Sequence, residues 1–138
     1  TPSVVQGVNG AVVDKWFMPC DGNRYLIIIG ADIAEGVLGA GLPTIVAELS
    51  SADSETGPFV TKDCLSVTFA STRSDGATNL LYTSSRTAVD QPWSPPVLFD
   101  TFAALGGGQQ DPFVSDDNRT FVLVSNISGT NDLYISTR

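Results

Sequence analysis

Apolar and polar positions alternate along much of this chain with a period of two, which is typical of β-strands that bury one face. Leu65, Val67 and Phe69 alternate with small or polar residues and predict a half-buried strand. The stretch from Tyr25 to Ile29 is apolar throughout and predicts a strand covered on both faces. Between such stretches lie residues that accept positive φ or bond their own backbone, as hairpin turns require: Asp21-Gly22, Asp75-Gly76, Asp116-Asp117-Asn118 and Ser128-Gly129.

The strand pattern recurs as an internal repeat. Pro58-Phe59-Val60 returns as Pro112-Phe113-Val114, and Leu81-Tyr82 returns as Leu133-Tyr134. The spacing between these matches differs by two residues, which a longer turn at Ser74-Asp75-Gly76 in the earlier copy explains. Loops accept such insertions at little cost, so the difference does not weaken the repeat.

A third, more diverged copy begins near Phe17, where Asn23-Arg24 matches Asn118-Arg119. Each copy predicts three antiparallel strands, and Val97 to Phe99 predicts a fourth, outer strand whose neighbouring prolines suit a sheet edge. Four antiparallel strands in a repeat of about 50 residues are typical of a β-propeller blade. The prediction is an all-β, single-domain chain of about three blades, with copies at approximately 11–55, 56–108 and 109–138.

Two segments fit this pattern badly. Ala31 to Leu42 predicts a single helical turn or a long loop, and Ser50 to Gly57 is too short to hold an outer strand. We expect no helix elsewhere in the chain.

The last copy resembles the WD40-like repeat of TolB-type β-propellers in three segments: Val114–Arg119, Val124–Asn126 and Asn131–Tyr134. The middle copy keeps the resemblance at Phe69–Arg73 and departs from it at the turn Thr61–Cys64. The resemblance covers roughly residues 15 to 138. It implies a platform that binds a protein or peptide, in an extracellular or periplasmic location, and no single reaction.

Three blades do not close a ring, because closed propellers have at least about four. Three interpretations stay open. The chain pairs with a second copy, for instance as two halves of a six-bladed ring, or it is a piece of a longer chain, or its strands form a closed sandwich or small barrel. The start at Thr1 favours a processed or excised piece.

The charge and the cysteine and histidine content exclude several classes of function. The net charge is −8, so the chain repels phosphate backbones and anionic lipid headgroups, and we expect neither nucleic-acid binding nor membrane insertion. Two cysteines without any histidine do not make a structural zinc site. The absence of histidine also removes the commonest general base, and we expect no cofactor.

Asp111-Pro112 keeps an enzymatic interpretation open, because five-bladed glycosidases often open a blade with this pair. Glycoside hydrolysis needs a second carboxylate at a defined distance. The only glutamates are Glu35, Glu48 and Glu55, and the sequence pattern places them in a loop, an outer strand and a connector. We therefore expect no catalytic residue, with Asp111 as the alternative.

Three residues are candidates for binding a protein, peptide or glycan. Arg73 and Asn126 end the buried strands of their copies and predict a ligand-facing rim, although polar residues at such positions also cap a sheet. Trp93 offers a ring that stacks on a sugar or a peptide, or that fills the gap between neighbouring blades.

Two further pairs have a structural and a chemical interpretation. Asp116 and Asp117 supply oxygen ligands for calcium, or they simply stabilise a type I turn. Cys20 and Cys64 lie in corresponding turns of successive copies, so they form either a disulfide between neighbouring blades or two separate buried thiols. The function predicted is a non-catalytic binding or scaffolding module, with a carbohydrate-active propeller, lectin or glycosidase, as the alternative.

Overall fold

The computed structural model of the chain describes residues 13–137, with side chains from Met18 to Thr137. Its strands form three antiparallel sheets in which each strand pairs with the next along the chain. The first sheet contains β1 (Val13–Cys20), β2 (Arg24–Ile29), β3 (Asp32–Val37) and β4 (Thr44–Ile45). The second contains β5 (Glu55–Val60), β6 (Ser66–Ser71), β7 (Leu80–Ser85) and β8 (Val97–Leu98). The third contains β9 (Gln109–Val114), β10 (Thr120–Ser125) and β11 (Asp132–Thr137), and the one-turn helix α1 (Asp100–Ala103) precedes it.

The sheets pack face to face in chain order. One apolar cluster joins the first sheet to the second, with Leu26 and Ile28 against Val67 and Phe69. A second cluster joins the second sheet to the third and includes Leu81 and the rings of Phe102 and Phe121. Successive antiparallel meanders stacked in this way are β-propeller blades, so the predicted all-β fold class is confirmed.

The repeat is also visible in the backbone of the innermost strands. Gly57 in β5 and Asp111 in β9 both have positive φ, at 55° and 53°, and a proline follows each of them. Both strands shift their register against the next strand at this point, which is a β-bulge. A side chain on Gly57 would meet Asp111, because a Cβ there would lie 3.0 Å from Asp111 Oδ1. The bulges therefore pack against each other where the two blades meet.

The prediction for Ala31 to Leu42 is wrong, because half of that segment is strand β3. It pairs with β2 along its whole length, from Arg24 opposite Val37 to Ile29 opposite Asp32. A Cβ on Gly36 would lie 2.4 Å from the Tyr25 ring, so the neighbouring strand requires a glycine here. Glycine and alanine weaken the sequence signal for a strand, which is why the pattern indicated a loop. The single helical turn lies instead at α1.

The strand predicted to be half-buried is covered on both faces. Thr68 and Ala70 lie on the face expected to be solvated, yet they are 7% and 0% exposed. The second blade lies between the other two, so its polar-patterned face packs on the third blade. The predicted outer strand at Val97 to Phe99 is confirmed as β8, and the positive φ expected in the turns is found at Gly22, Gly76, Asn118 and Gly129.

Candidate functional site

A disulfide and an ion pair join the first two blades at one end. Cys20 at the end of β1 and Cys64 in the turn before β6 form a disulfide, with Cα atoms 5.3 Å apart. Beside it, the Arg86 guanidinium donates two hydrogen bonds to the Glu35 carboxylate, at 2.9 and 2.8 Å, and a third to the Cys64 carbonyl. Glu35 belongs to β3 of the first blade and Arg86 follows β7 of the second. The contact is therefore a clamp between blades.

Trp93 is part of this clamp. Its ring is 4% exposed and lies beneath the Arg86 guanidinium, whose carbon is 4.2 Å from the ring centroid. A buried arginine gains attraction from the ring face in addition to its bonds with the carboxylate. In this structure the Trp93 ring fills a space between blades, as the second of the two sequence interpretations has it.

Arg73 is held by the second blade and by the segment that leads into it. Its guanidinium pairs with the buried carboxylate of Glu55 at 3.1 Å and also donates to the carbonyl of Leu49. The same guanidinium lies over the rings of Phe69 and Tyr82, 5.1 and 4.9 Å from their centroids. These contacts occupy most of its hydrogen-bonding and stacking capacity within the fold.

Asn126 directly follows β10, and its counterpart in the second blade is Thr72, one residue before Arg73. Its Oδ1 accepts a 2.7 Å hydrogen bond from the backbone N–H of Gly108. The side chain is exposed and lines a cleft between the second and third blades. Of the three candidate ligand-binding residues, Asn126 alone lies at an open surface.

Asp111 occupies the bulge of β9, partly buried against the neighbouring inner strand. Burial raises the pKa of Asp111 above its ordinary value, because the ionised carboxylate loses hydration there. The glutamates lie elsewhere than the sequence pattern placed them: Glu35 in β3, Glu48 in a turn, and Glu55 at the start of β5. Glu35 and Glu55 are committed to the arginine pairs described above.

The Asp116-Asp117 turn matches a turn of the second blade bond for bond. Ser115 Oγ donates to Asp117 Oδ1, as Thr61 Oγ1 does to Asp63 Oδ1, and both carboxylates also accept a backbone N–H. In both turns, the hydroxyl hydrogen bond is the main cause that lowers the pKa of the aspartate. Within residues 13–137, no group of three or more acidic, cysteine or histidine side chains is arranged to hold a metal ion.

The third blade has an open face, which we define by five apolar residues: Phe113, Val122, Val124, Leu133 and Ile135. The strand register places them side by side, with Val122 opposite Phe113 and Ile135. Leu133 and Ile135 are 73% and 70% exposed. The counterpart of Leu133 in the second blade is Leu81, which is 0% exposed because the third blade packs on it. The residues of the open face thus occupy positions that the fold elsewhere covers with another blade.

The outer edge of the third blade is also open in the described part of the chain. Blades one and two end in the short strands β4 and β8, which pair with β3 and β7. The third blade ends at β11, which pairs with β10 on one side. The strand contains neither lysine nor proline, the residues that commonly protect an edge from further pairing.

The opposite end of the stack is different. Tyr25, Ile27 and Ala34 lie on the face of the first blade that points away from the second, and they are between 0% and 2% exposed.

Comparisons with known proteins found a similar fold among solved structures and no match in sequence. No family model matches the chain, and no curated protein matches it in sequence. Among solved structures, the chain is similar to a protein from Agrobacterium tumefaciens that is provisionally assigned as TolB, with 13% identity and a TM-score of 0.48. The match covers 85% of this chain and 55% of that one. The fold assignment therefore rests on the three sheets and their packing. No helix in the described residues is long and apolar enough to cross a membrane.

Proposed function

We propose that this chain is a β-propeller module that binds a protein partner by accepting a β-strand of that partner along β11. The observation that carries the proposal is the contrast between the sheet edges: β3 and β7 each pair with a short fourth strand, whereas β11 pairs with β10 alone among the described residues. The rest of the partner would pack on the open face, where Leu133 is 73% exposed and its counterpart Leu81, covered by a blade, is 0% exposed. Burying a leucine side chain is worth about 1.5–3 kcal/mol, so covering that face adds to the strand pairing.

The two fourth strands of this chain indicate the chemistry of the strand that fits. Thr44-Ile45 forms β4 and Val97-Leu98 forms β8, so each is short and contains β-branched or apolar residues. A proline directly precedes each of them. In the second blade, Leu98 pairs with Tyr82 and Val97 with Thr83. The counterparts of Tyr82 and Thr83 in β11 are Tyr134 and Ile135, and we propose that the partner strand pairs there.

A partner strand explains the open edge of the third blade. Strand addition satisfies the outward-facing backbone groups of an edge strand, and its alternate side chains supply specificity. A second copy of this chain would need to offer a free apolar face in return, and the first blade has its outer face buried. We therefore propose a partner segment that contains a proline followed by two apolar or β-branched residues.

The test uses the chain's own β8 segment as the probe. A fluorescein-labelled peptide of residues 91–101 is titrated with the protein, and its anisotropy is followed. We expect saturable binding with a Kd below about 1 mM. Leu133→Asp and Ile135→Asp should weaken it at least tenfold, because each puts a charge where the apolar strand must pack. Leu42→Asp is the matched control, since Leu42 is also 73% exposed but lies in a loop of the first blade.

The proposal fails if the peptide shows no saturable binding at millimolar concentration, or if Leu42→Asp weakens it as much as Leu133→Asp does. The mass of the protein in solution, measured by light scattering, supplies a second criterion. A dimer that Leu133→Asp converts to a monomer would assign the open face to a second copy and overturn the proposal.

A further inference from the structure

A neutral, polar cleft of about 440 Å³ lies between the second and third blades. Its lining combines small residues, one threonine and five amide side chains: Ala77, Thr78, Asn79, Gly107, Gly108, Gln109, Gln110, Asn126 and Asn131. None of these nine residues carries a charge. The volume lies within the range of roughly 300–1,000 Å³ that is usual for small-molecule sites.

The backbone around the cleft is already paired, whereas the amide side chains are largely unused. Gly108 exchanges hydrogen bonds with Asn126, and the N–H of Gln109 donates to the carbonyl of Asn79. The side-chain amides of Asn79, Gln110 and Asn131 have no hydrogen bond to the described residues, and neither does the Nδ2 group of Asn126. Each amide offers donors and an acceptor together. The unused hydrogen-bonding groups of the cleft therefore belong to side chains and not to the backbone of a sheet edge.

Gln109 at the base of the cleft has one polar atom that is unpaired within the described part of the chain. The residue is 0% exposed, and its Nε2 donates to the carbonyl of Phe102, which fixes the orientation of the amide. Its Oε1 has no hydrogen-bond partner among the described residues. Buried polar atoms are almost always paired, and this unpaired acceptor lies within the packing beneath the cleft and not on its surface.

In the second blade, the side chain at the equivalent position has all its hydrogen-bond partners within the chain. The counterpart of Gln109 is Glu55, whose carboxylate accepts hydrogen bonds from Ser51, Ser71 and Arg73. Ser71 returns in the third blade as Ser125, but Arg73 returns as Ile127. The third blade thus replaces a closed ionic network with a neutral amide beside an open cleft.

Close packing of the backbone holds the cleft in shape. Gly107 has a φ of 70°, and a Cβ there would lie 2.8 Å from Asn126 Oδ1 and 3.0 Å from Ile127 Cα. Any larger residue would push Asn126 away from the Gly108 N–H that orients it. The amide that the sequence indicated as a ligand-facing residue is therefore held by a glycine on the facing loop.

We infer that this cleft binds a neutral saccharide. Hydroxyl groups donate and accept like amides, so a ligand rich in hydroxyls matches a lining of unpaired amides without bringing a charge. The net charge of −8 disfavours an anionic sugar. An extended peptide is the poorer match, because the backbone groups that it would pair with are already used. The inference does not depend on the open face of the third blade.

The test is a titration with tetrasaccharides, followed by NMR on the side-chain amide signals of the ¹⁵N-labelled protein. The neutral probes are the tetramers of β-1,4-glucose, β-1,4-xylose, α-1,4-glucose and N-acetylglucosamine, and tetragalacturonate is the anionic control. We expect at least one neutral tetramer to shift the amide signals of Asn79, Asn126 and Asn131 saturably. Asn79→Ala and Asn131→Ala should each weaken binding about threefold to tenfold, the equivalent of one hydrogen bond.

Asn23→Ala is the matched control, because Asn23 is an exposed asparagine in a turn of the first blade. Leu133→Asp should leave sugar binding unchanged, which separates this test from that of the proposed function. Binding of no neutral tetramer overturns the inference. So does equal binding of tetragalacturonate, an unchanged affinity in both Asn→Ala variants, or displacement of the sugar by the residue 91–101 peptide.

Discussion

Replacing the equivalent residues Leu81 and Leu133 by alanine, one at a time, tests how the second and third blades pack. Both follow the same turn of the repeat and occupy the second position of the third strand of their blade. Leu81 lies in the apolar cluster that contains Phe102, Phe121 and Leu123. Leu133 lies on the open face. The two substitutions therefore remove the same atoms at the same place in the repeat. They differ only in that a further blade covers Leu81 and none of the described residues covers Leu133.

The burial of each side chain sets the expected magnitude. Leucine-to-alanine changes in packed cores cost about 2–5 kcal/mol, from lost transfer free energy and from the cavity left behind. Leu81 is 0% exposed between two blades, and we expect about 3 kcal/mol. Leu133 is 73% exposed, and substitutions at such surface positions usually stay within about 0.5 kcal/mol.

Urea unfolding followed by circular dichroism measures both effects. With a slope of about 1.5 kcal/mol per molar urea, Leu81→Ala should lower the midpoint by about 2 M. Leu133→Ala should behave like Leu42→Ala, the exposed leucine that serves as the baseline. A loss above about 2 kcal/mol for Leu133→Ala would refute the reasoning, because it would mean that the open face is covered in the free protein.

Three further predictions concern the polar and covalent contacts. Replacing Cys20 and Cys64 together by serine should cost about 4 kcal/mol in the chain-entropy model, and an unfolding curve of the unmodified protein with and without reductant should show a similar loss. Glu55→Ala should cost about 3 kcal/mol because it leaves the Arg73 guanidinium without its buried partner, and the double variant Glu55→Ala/Arg73→Ala should cost less than the sum of the single changes in the same urea assay. Burial raises the pKa of Asp111, so the folded chain keeps the carboxyl proton to a higher pH than the unfolded chain does. The protonated carboxyl therefore favours folding at low pH. This contribution to stability is lost as the pH rises through the folded-state pKa. The stability of Asp111→Asn relative to the unmodified protein should therefore increase as the pH rises through the folded-state pKa of Asp111, and a difference that is flat with pH would contradict this.

The pattern of the sequence predicted the repeat, the strand β2 that is buried on both faces, the outer strand β8 and the turns. These features depend on local signals: alternation, glycine and asparagine at positive φ, and prolines at an edge. The strand β3 was not predicted because it contains Gly36, and a glycine considered alone favours a loop. A glycine is required at this position because the Tyr25 ring of the neighbouring strand leaves no room for a side chain.

The candidate sites divide in the same way. Arg73, Trp93 and Asn126 were visible as polar or aromatic residues at informative places, but their partners Glu55, Arg86 and Gly108 come from other strands and loops. The amide-lined cleft was not visible, since it joins three separate segments of two blades. Five amides spread over more than fifty positions carry no local signal of a shared surface.

The sequence by itself determined that the chain is built of repeated antiparallel strands, because the period of two and the turn residues act within a few positions of one another. Only the tertiary structure decided which copies of the same residue are covered. Leu81 and Leu133 occupy the same place in the repeat and each precedes a tyrosine, and Thr68 and Val122 occupy equivalent positions on the adjoining strands. Their burial depends on whether a further sheet packs on them, and the sheet that covers Leu81 is distant from it in sequence.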